Sequence, residues 1–285
     1  MKITPMIRKA SGEIQPFVPA KLMESLRRSG AKTSVIEEIL EEIDLWISKE
    51  AQKRESAIPS KTIYKKAFSL LRRKTVGSAA RYKLKNAMME MGPTGYPFEH
   101  FAGEIYKVLG YSTEVGKTLQ GECITHEVDV IATKGKHQRF IECKYYSSTG
   151  KNANVQVPLY IRSRVNDIIA NRSKSPDFEG YTFSGGIVTN TRFTSDAETY
   201  GKCSGLHLLS WDYPAGNSIK DIIDRERIFP VTSLTSLTKA QKAKLMDQGI
   251  VICRQLLDRQ EAIDTLGLTS RKRKKVLEEL QDLCG

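Results

Sequence analysis

Cysteine is scarce and scattered in this 285-residue chain: five residues, at 123, 143, 203, 253 and 284, with no CxxC pair. That spacing argues against a structural zinc site and against a disulfide framework, and points to a reducing, cytoplasmic setting. The four histidines, at 100, 126, 137 and 207, show no ligand spacing, so they read as loop or surface residues. No run approaches the roughly 18 consecutive apolar residues of a membrane span. The stretch MKITPMIRKASGEIQPF holds no apolar core of a secretory signal. Internal repeats and low-complexity tracts are missing as well, so neither a solenoid nor a disordered chain is expected.

What is present suits a globular protein, with 40% hydrophobic and 27% charged residues. Net charge is +12, which makes polyanions plausible partners. Its distribution matters more than its total. Residues 1–91 hold 19 Lys/Arg against 10 Asp/Glu, residues 92–228 hold 16 of each, and residues 229–285 hold 10 against 7. Both ends are basic and the middle is neutral.

MGPTGYPFEH (91–100) marks a boundary, because its glycines and prolines cannot continue a helix. Before it, IRKASGEIQPF reads as a hairpin turning at Ser11-Gly12. Helices follow over PAKLMESLRR, SVIEEILEEIDLWISKE, IPSKTIYKKAFSLLRRK and SAARYKLKNAMMEM. After it, PFEHFAGEIYKVLGY is an amphipathic helix, and HEVDVIA and RFIECKYY are strands joined by the turn TKGKHQ. VQVPLYIRSRVNDIIANR is predicted to turn helical after Pro158; GGIVTN and GLHLLSW are strands around the short helix SDAETYGKC. GKT at 116–118 is no phosphate loop, because Tyr111 stands where that loop needs glycine. From Pro230 the pattern is helical again. The expected fold class is α/β and multi-domain: mostly helical residues 1–91, a mixed sheet flanked by helices in 96–228, and a small helical part in 229–285.

FIECKYY carries the chemistry. On a strand, Glu142 and Lys144 leave one face while Ile141, Cys143 and Tyr145 leave the other. On HEVDVIA, Glu127, Asp129 and Ile131 share a face, and Val128 and Val130 take the opposite one. If the two strands pair, Asp129 comes beside Glu142 and Lys144. Two carboxylates converging in a partly buried place repel unless a cation lies between them, and Mg²⁺ suits oxygen donors of this kind. An ion pair on an exposed edge strand is the plainer alternative.

The order amphipathic helix, V-D, I-E-C-K resembles the PD-(D/E)xK nuclease superfamily, in particular Mrr-type restriction endonucleases, over about residues 96–212. The resemblance implies a restriction-endonuclease-like fold with Asp129 and Glu142 as ligands of Mg²⁺ or Mn²⁺, the Cys143 carbonyl as a further ligand, and Lys144 as catalytic lysine. It also implies an acid on the first helix, Glu104, and a glutamine opening the next, Gln156. His126 lies near enough to touch substrate. Residues 3–90 resemble the ATP-cone, a regulatory nucleotide-binding module, through a basic residue, Gly, an apolar residue and then Lys-Leu opening a helix. That likeness implies ATP or dATP as ligand, with Lys9 and Lys21 on the phosphates, Ser60 adding a hydroxyl, and base and ribose near Phe17 and Leu22. DTLGLTSRKRKKVLEEL resembles half of a helix-hairpin-helix module, implying DNA contact by Arg271, Lys272, Arg273, Lys274 and Lys275; a solvated helix end is the alternative reading.

Together these readings predict a cytoplasmic, metal-dependent DNA endonuclease regulated by ATP or dATP. DNA is preferred over RNA as its substrate, no membrane is involved, and a homo-oligomer is expected. The rivals are a nucleotide-responsive DNA-binding regulator with an inactive nuclease fold, and an RNA-directed nuclease.

Overall fold

Apolar periodicity builds the first 91 residues. The computed structural model describes residues 5–9, 11–53, 56–148 and 150–285. Strands β1 (Met6–Arg8) and β2 (Ile14–Pro16) form the expected hairpin, and Gly12 takes φ +91° in its turn. Helices α1 (Pro19–Arg28) and α2 (Thr33–Lys53) follow; Gly30, at φ +74°, ends the first. A short strand that periodicity did not announce, β3 (Ile58–Pro59), pairs parallel with β1 and leads into α3 (Ser60–Lys74). The next expected helix is two, α4 (Val76–Tyr82) and α5 (Leu84–Met88), broken at Lys83. Ile36, Ile39, Ile43 and Ile47 of α2 pack with Leu26, Ile63, Leu70 and Leu71 in a core of their own.

The second sheet has five strands: β4 (Ser112–Gln120), β5 (Thr125–Lys134), β6 (His137–Lys144), β7 (Thr182–Thr189) and β8 (His207–Leu209), in that spatial order. The first three run antiparallel, and β6, β7 and β8 run parallel. This is the mixed α/β sheet expected. Strand β4 was not foreseen, since STEVGKTLQ is polar and six of its nine residues stay exposed at the sheet edge. Helix α6 (Tyr96–Val108) covers one face, where Phe98, Phe101 and Ile105 meet Val130, Ala132 and Ile141. Helices α7 (Gln156–Arg172) and α8 (Ser195–Cys203) cover the other, with Ile161, Val165 and Ala197 on Ile131, Phe140 and Ile187. Pro158 lies inside the first turn of α7 rather than before it, where its missing N–H costs nothing.

The remainder is helical: α9 (Ile219–Glu226), which periodicity missed, α10 (Lys239–Asp247), α11 (Cys253–Asp258), α12 (Glu261–Asp264) and α13 (Ser270–Cys284). The apolar stretch IVICRQLLDRQEAIDTL holds two of these short helices, α11 and α12. Buried residues of this part, among them Leu245, Leu256, Val276 and Leu280, join the same core as α6 and the sheet. Helix α4 ties the N-terminal part to it, because Ala79 enters the first core and Ala80 the larger one. Gly77 lets α4 approach α13 closely: a Cβ there would stand 2.8 Å from the Asp282 Cβ.

Two histidines are not the surface residues expected. His126 is buried, its Nε2 2.7 Å from Asp167 Oδ2. His207 meets the Tyr106 hydroxyl at 3.1 Å, and burial pushes it down to about 4. A base held neutral in the fold contributes stability that is present above its ordinary value of 6.5 and lost as pH falls through about 4. Acidification across that window should cost about 3 kcal/mol through this residue. In His207→Gln the urea midpoint should drop less between pH 7 and pH 5 than in the parent; an equal drop refutes the assignment.

Candidate active site

The two strands of the β5–β6 hairpin part company at Asp129. Their ladder ends at Val130↔Ile141, while β6 runs on beside β7 as far as Lys144↔Thr189. On its other side β5 pairs with β4 at Val115↔Val130 and Lys117↔Val128, and Gly116, at φ +63°, interrupts the ladder between them. Side-chain alternation breaks at the same place. Val130 packs toward α6 but Val128 toward α7, so the two do not share a face as expected. The outcome is a fork between strands, lined by Asp129 on one prong and by residues 142–144 on the other.

Within the fork, Asp129 Oδ2 accepts the Cys143 N–H at 2.6 Å. In an extended strand a residue's N–H and C=O point the same way, so the Cys143 carbonyl also turns toward the fork. Glu142 is held by two cations: Oε1 lies 2.5 Å from Lys144 Nζ, and Oε2 lies 2.6 Å from Arg164 of α7. Arg164 also donates to the Glu127 carbonyl. Burial and the nearby Glu142 push the Asp129 carboxyl up to about 6. Behind Glu142 the apolar floor of Val128, Phe140, Ile161 and Val165 leaves only about 10 Å³ of free space.

The exit of β6 is fixed by buried polar side chains. The Thr189 hydroxyl donates to the Lys144 carbonyl at 2.7 Å, and Asn190 both accepts from Tyr146 N–H (2.9 Å) and donates to its carbonyl (2.8 Å). Tyr145 donates to the Met89 carbonyl at 2.8 Å. These bonds hold the backbone from which Lys144 projects, so its position is set by the fold rather than by its ion pair.

Helix α6 supplies an acid, though not the expected one. Glu104 turns away, 2.7 Å from Lys107 and 3.4 Å from Gln255 of α11. Glu99, five residues earlier on the other flank of the stripe, senses Asp129, Glu127 and Glu142; burial first, then those charges, push it up to about 7. Gln156 stands exposed as the first residue of α7, where its side chain and its N–H both meet the Asn154 side chain. Arg164 takes the place on α7 that Gln156 was expected to hold. Periodicity contained the signal, since an arginine within the stripe Ile161, Arg164, Val165, Ile168 needs a buried acid to meet.

The structure distributes the remaining expected residues differently. Phe17 and Leu22 are buried in the N-terminal core, which corrects their assignment to a base and ribose. Arg8 and Pro59 are ladder partners, so Lys9 and Ser60 leave the same end of the small sheet, with Ser60 as the first residue of α3. Lys21 is exposed in the first turn of α1, which starts from the opposite end, where Phe17 N–H bonds Pro5. In the basic run, Lys272 reaches Gln241 (3.1 Å) and Arg273 pairs with Asp264 (2.8 Å). Arg271, Lys274 and Lys275 face solvent.

Residues 229–284 match the AF1548-like C-terminal family. An uncharacterized protein of Archaeoglobus fulgidus is 27% identical over 178 residues, covering 62% of this chain and 95% of that protein. A crystal structure described as a protein of unknown function, AF1548, superposes with a TM-score of 0.55 at 26% identity, covering 67% of this chain and 99% of that one. The likeness supports the mixed α/β fold. Neither relative's description states an activity.

Whether a divalent cation suits the fork can be judged from its donors. Among the described residues no cluster of three or more His, Cys, Asp or Glu side chains is drawn up as a ready cage. Asp129 and Glu142 are nevertheless hard oxygen donors, and burial together with the Glu142 charge raises Asp129. Two carboxylates and a peptide carbonyl fit Mg²⁺, which keeps several waters and needs few protein ligands. Among the described residues no helix is long and apolar enough to cross a membrane.

Proposed function

We propose that the fork is the active site of a metal-dependent nuclease acting on DNA, and that the basic flanks hold the substrate. The observation that carries this reading is the convergence of Asp129, the Cys143 backbone, Glu142 and Lys144 where two strands separate over an apolar floor. A structural ion pair needs no such divergence and no second carboxylate. Asp129, Glu142 and the Cys143 carbonyl would hold Mg²⁺ or Mn²⁺. When bound, the ion supplies a more acidic water and offsets charge on the phosphate.

The chain's own groups divide the remaining work. Lys144, fixed through its backbone, places an ammonium where negative charge builds up on the scissile phosphate. Arg164 holds Glu142 at its second oxygen and so fixes the orientation of that carboxylate. Glu99, pushed up to about 7, is placed to exchange a proton near neutral pH. Arg271, Lys274 and Lys275 supply a phosphate-binding surface that the neutral central part lacks.

The N-terminal part is read as an ATP- or dATP-binding regulator. Support comes from Lys9 lying beside Ser60 at the N-terminus of the 15-residue α3, a place that favours anions. Phe17 and Leu22 do not belong to that site. Cytoplasmic location and self-association stay part of the proposal.

The test is cleavage of supercoiled and linear DNA with Mg²⁺ or Mn²⁺, with and without ATP or dATP, beside a Glu142→Ala/Lys144→Ala variant. Metal-dependent cutting that disappears in the variant supports the nuclease. Intact DNA binding without cutting under any condition favours the nucleotide-responsive regulator, and cutting of RNA alone favours the RNA-directed enzyme.

A further inference from the structure

Away from the fork, buried polar groups gather where α5 and its following turn face α10. An open cleft of about 420 Å³ runs between Met89 and Glu90 on one wall and Thr232, Lys239, Lys242 and Met246 on the other. Lys242 is only 4% exposed, and its Nζ donates to the Thr232 carbonyl at 2.7 Å. That bond uses one of three ammonium protons. The Thr232 hydroxyl, in a residue 1% exposed, is buried without a hydrogen-bond partner. Glu90 is half satisfied: Lys83 reaches Oε1 at 2.8 Å, while Oε2 is buried, without a hydrogen bond, and 3.8 Å from Lys242.

A folded protein rarely leaves a buried hydroxyl and a buried carboxylate oxygen without hydrogen bonds in the walls of one cleft. A neighbouring hollow of about 170 Å³ shares Glu90, Lys239 and Lys242, and adds Arg72 and Lys83. Arg72, Lys83, Lys239 and Lys242 thus line these two hollows with Glu90, and the buried Glu279 also acts on Lys242. Burial first, and then the Lys83 charge, push Lys242 down to about 8 against the opposing pull of Glu90 and Glu279. Unspent lysine protons and the orphan hydroxyl are donors, which call for an oxyanion. The orphan carboxylate oxygen is an acceptor, which calls for a hydroxyl. The cleft is larger than a bare phosphate requires and falls within the usual range for small-molecule sites.

We infer that this junction cleft binds a small phosphate monoester with a hydroxyl-bearing body, its phosphate on Lys239, Lys242 and the Thr232 hydroxyl, and a hydroxyl donating to Glu90. Met89 and Met246 offer the apolar surface against which the body lies. The site is separate from Lys9 and Ser60 and from the fork, so it stands whether or not the chain cuts DNA. It lies between α5 and the C-terminal helices, and occupancy would join those two parts.

Calorimetric titration of the full chain with ribose 5-phosphate and with inorganic phosphate tests this, using Lys239→Gln and Thr232→Val. Lys239 is exposed and valine copies the shape of threonine, so both variants should fold, as circular dichroism would verify. A Lys9→Ala/Lys21→Ala variant controls for the N-terminal part. Binding of ribose 5-phosphate, at least tenfold tighter than inorganic phosphate, weakened at least tenfold by each junction substitution and unchanged in the control, is the expected result. Absence of binding by the parent, insensitivity to either junction substitution, or loss in the control variant overturns the inference.

Discussion

Asp129→Asn should abolish metal-dependent cleavage, by about a thousandfold or more, and raise thermal stability at the same time. The two effects share one cause. Asparagine keeps an oxygen in the same place to accept the Cys143 N–H, so the fork retains its shape. It removes a negative charge that sits buried beside Glu142, where the carboxyl is pushed up to about 6 from an ordinary 3.8. A carboxyl raised in the fold contributes stability below its unfolded value, and that contribution is lost as pH rises through about 6. At pH 7.5 the ionised form therefore opposes folding by up to roughly 3 kcal/mol, and the substitution relieves it. Melting in EDTA-containing buffer at pH 7.5 and cleavage with Mg²⁺ are the two measurements. A variant that loses stability and retains activity would make Asp129 a structural residue. Loss of both would leave unfolding as the explanation.

The residues that were legible in sequence are those whose placement is local. Glu142 and Lys144 share a strand face because the period of two puts them there, and the hairpin that brings Asp129 near needs only the short turn at Gly135. The amphipathic α6 could be read for the same reason. Glu104 and Glu99 show where local reading ends. They flank one apolar stripe five residues apart, and only the crossing of α6 over the sheet decides which faces the fork. Arg164 likewise depends on how α7 lies across β6. Strand β4 escaped because one partner strand is enough to order a polar edge, without the apolar alternation that a half-buried strand shows. Phe17 and Leu22 illustrate the opposite error, since the N-terminal core claims them for packing.

Local reading also treats the chain's three parts as separate, whereas the buried residues of α6 and of the C-terminal helices form one core. That continuity gives the basic end of α13 a fixed position relative to the fork. A loose appendage would add only local concentration; a packed one keeps Arg271, Lys274 and Lys275 at a set distance from Lys144, the register that the proposed DNA contact requires. The Asp282 carbonyl receives Arg81 of α4 at 3.3 Å, so the N-terminal part bears on the same helix. A change in the N-terminal part therefore has a physical path to the basic surface, through α4 and α13, that does not pass through the fork.

Glu279→Ala tests how firmly α13 is seated, and its effect should be among the largest of any single substitution outside the fork. Glu279 is fully buried, and its two oxygens accept the backbone N–H groups of Thr235 (2.5 Å) and Ser236 (2.9 Å). Alanine would leave two amides without acceptors and open a void in the core beside Val276, Leu280 and Leu283. The expected loss is about 3–5 kcal/mol. Glu279→Gln keeps one acceptor oxygen and fills the same volume, so it should lose about half as much. Urea denaturation measures both, and the order parent, Gln, Ala is the discriminating feature. If alanine and glutamine cost the same, the charge rather than the two hydrogen bonds would be what matters. A loss below about 1 kcal/mol for alanine would mean that water replaces the carboxylate, and that α13 is held by its apolar face alone.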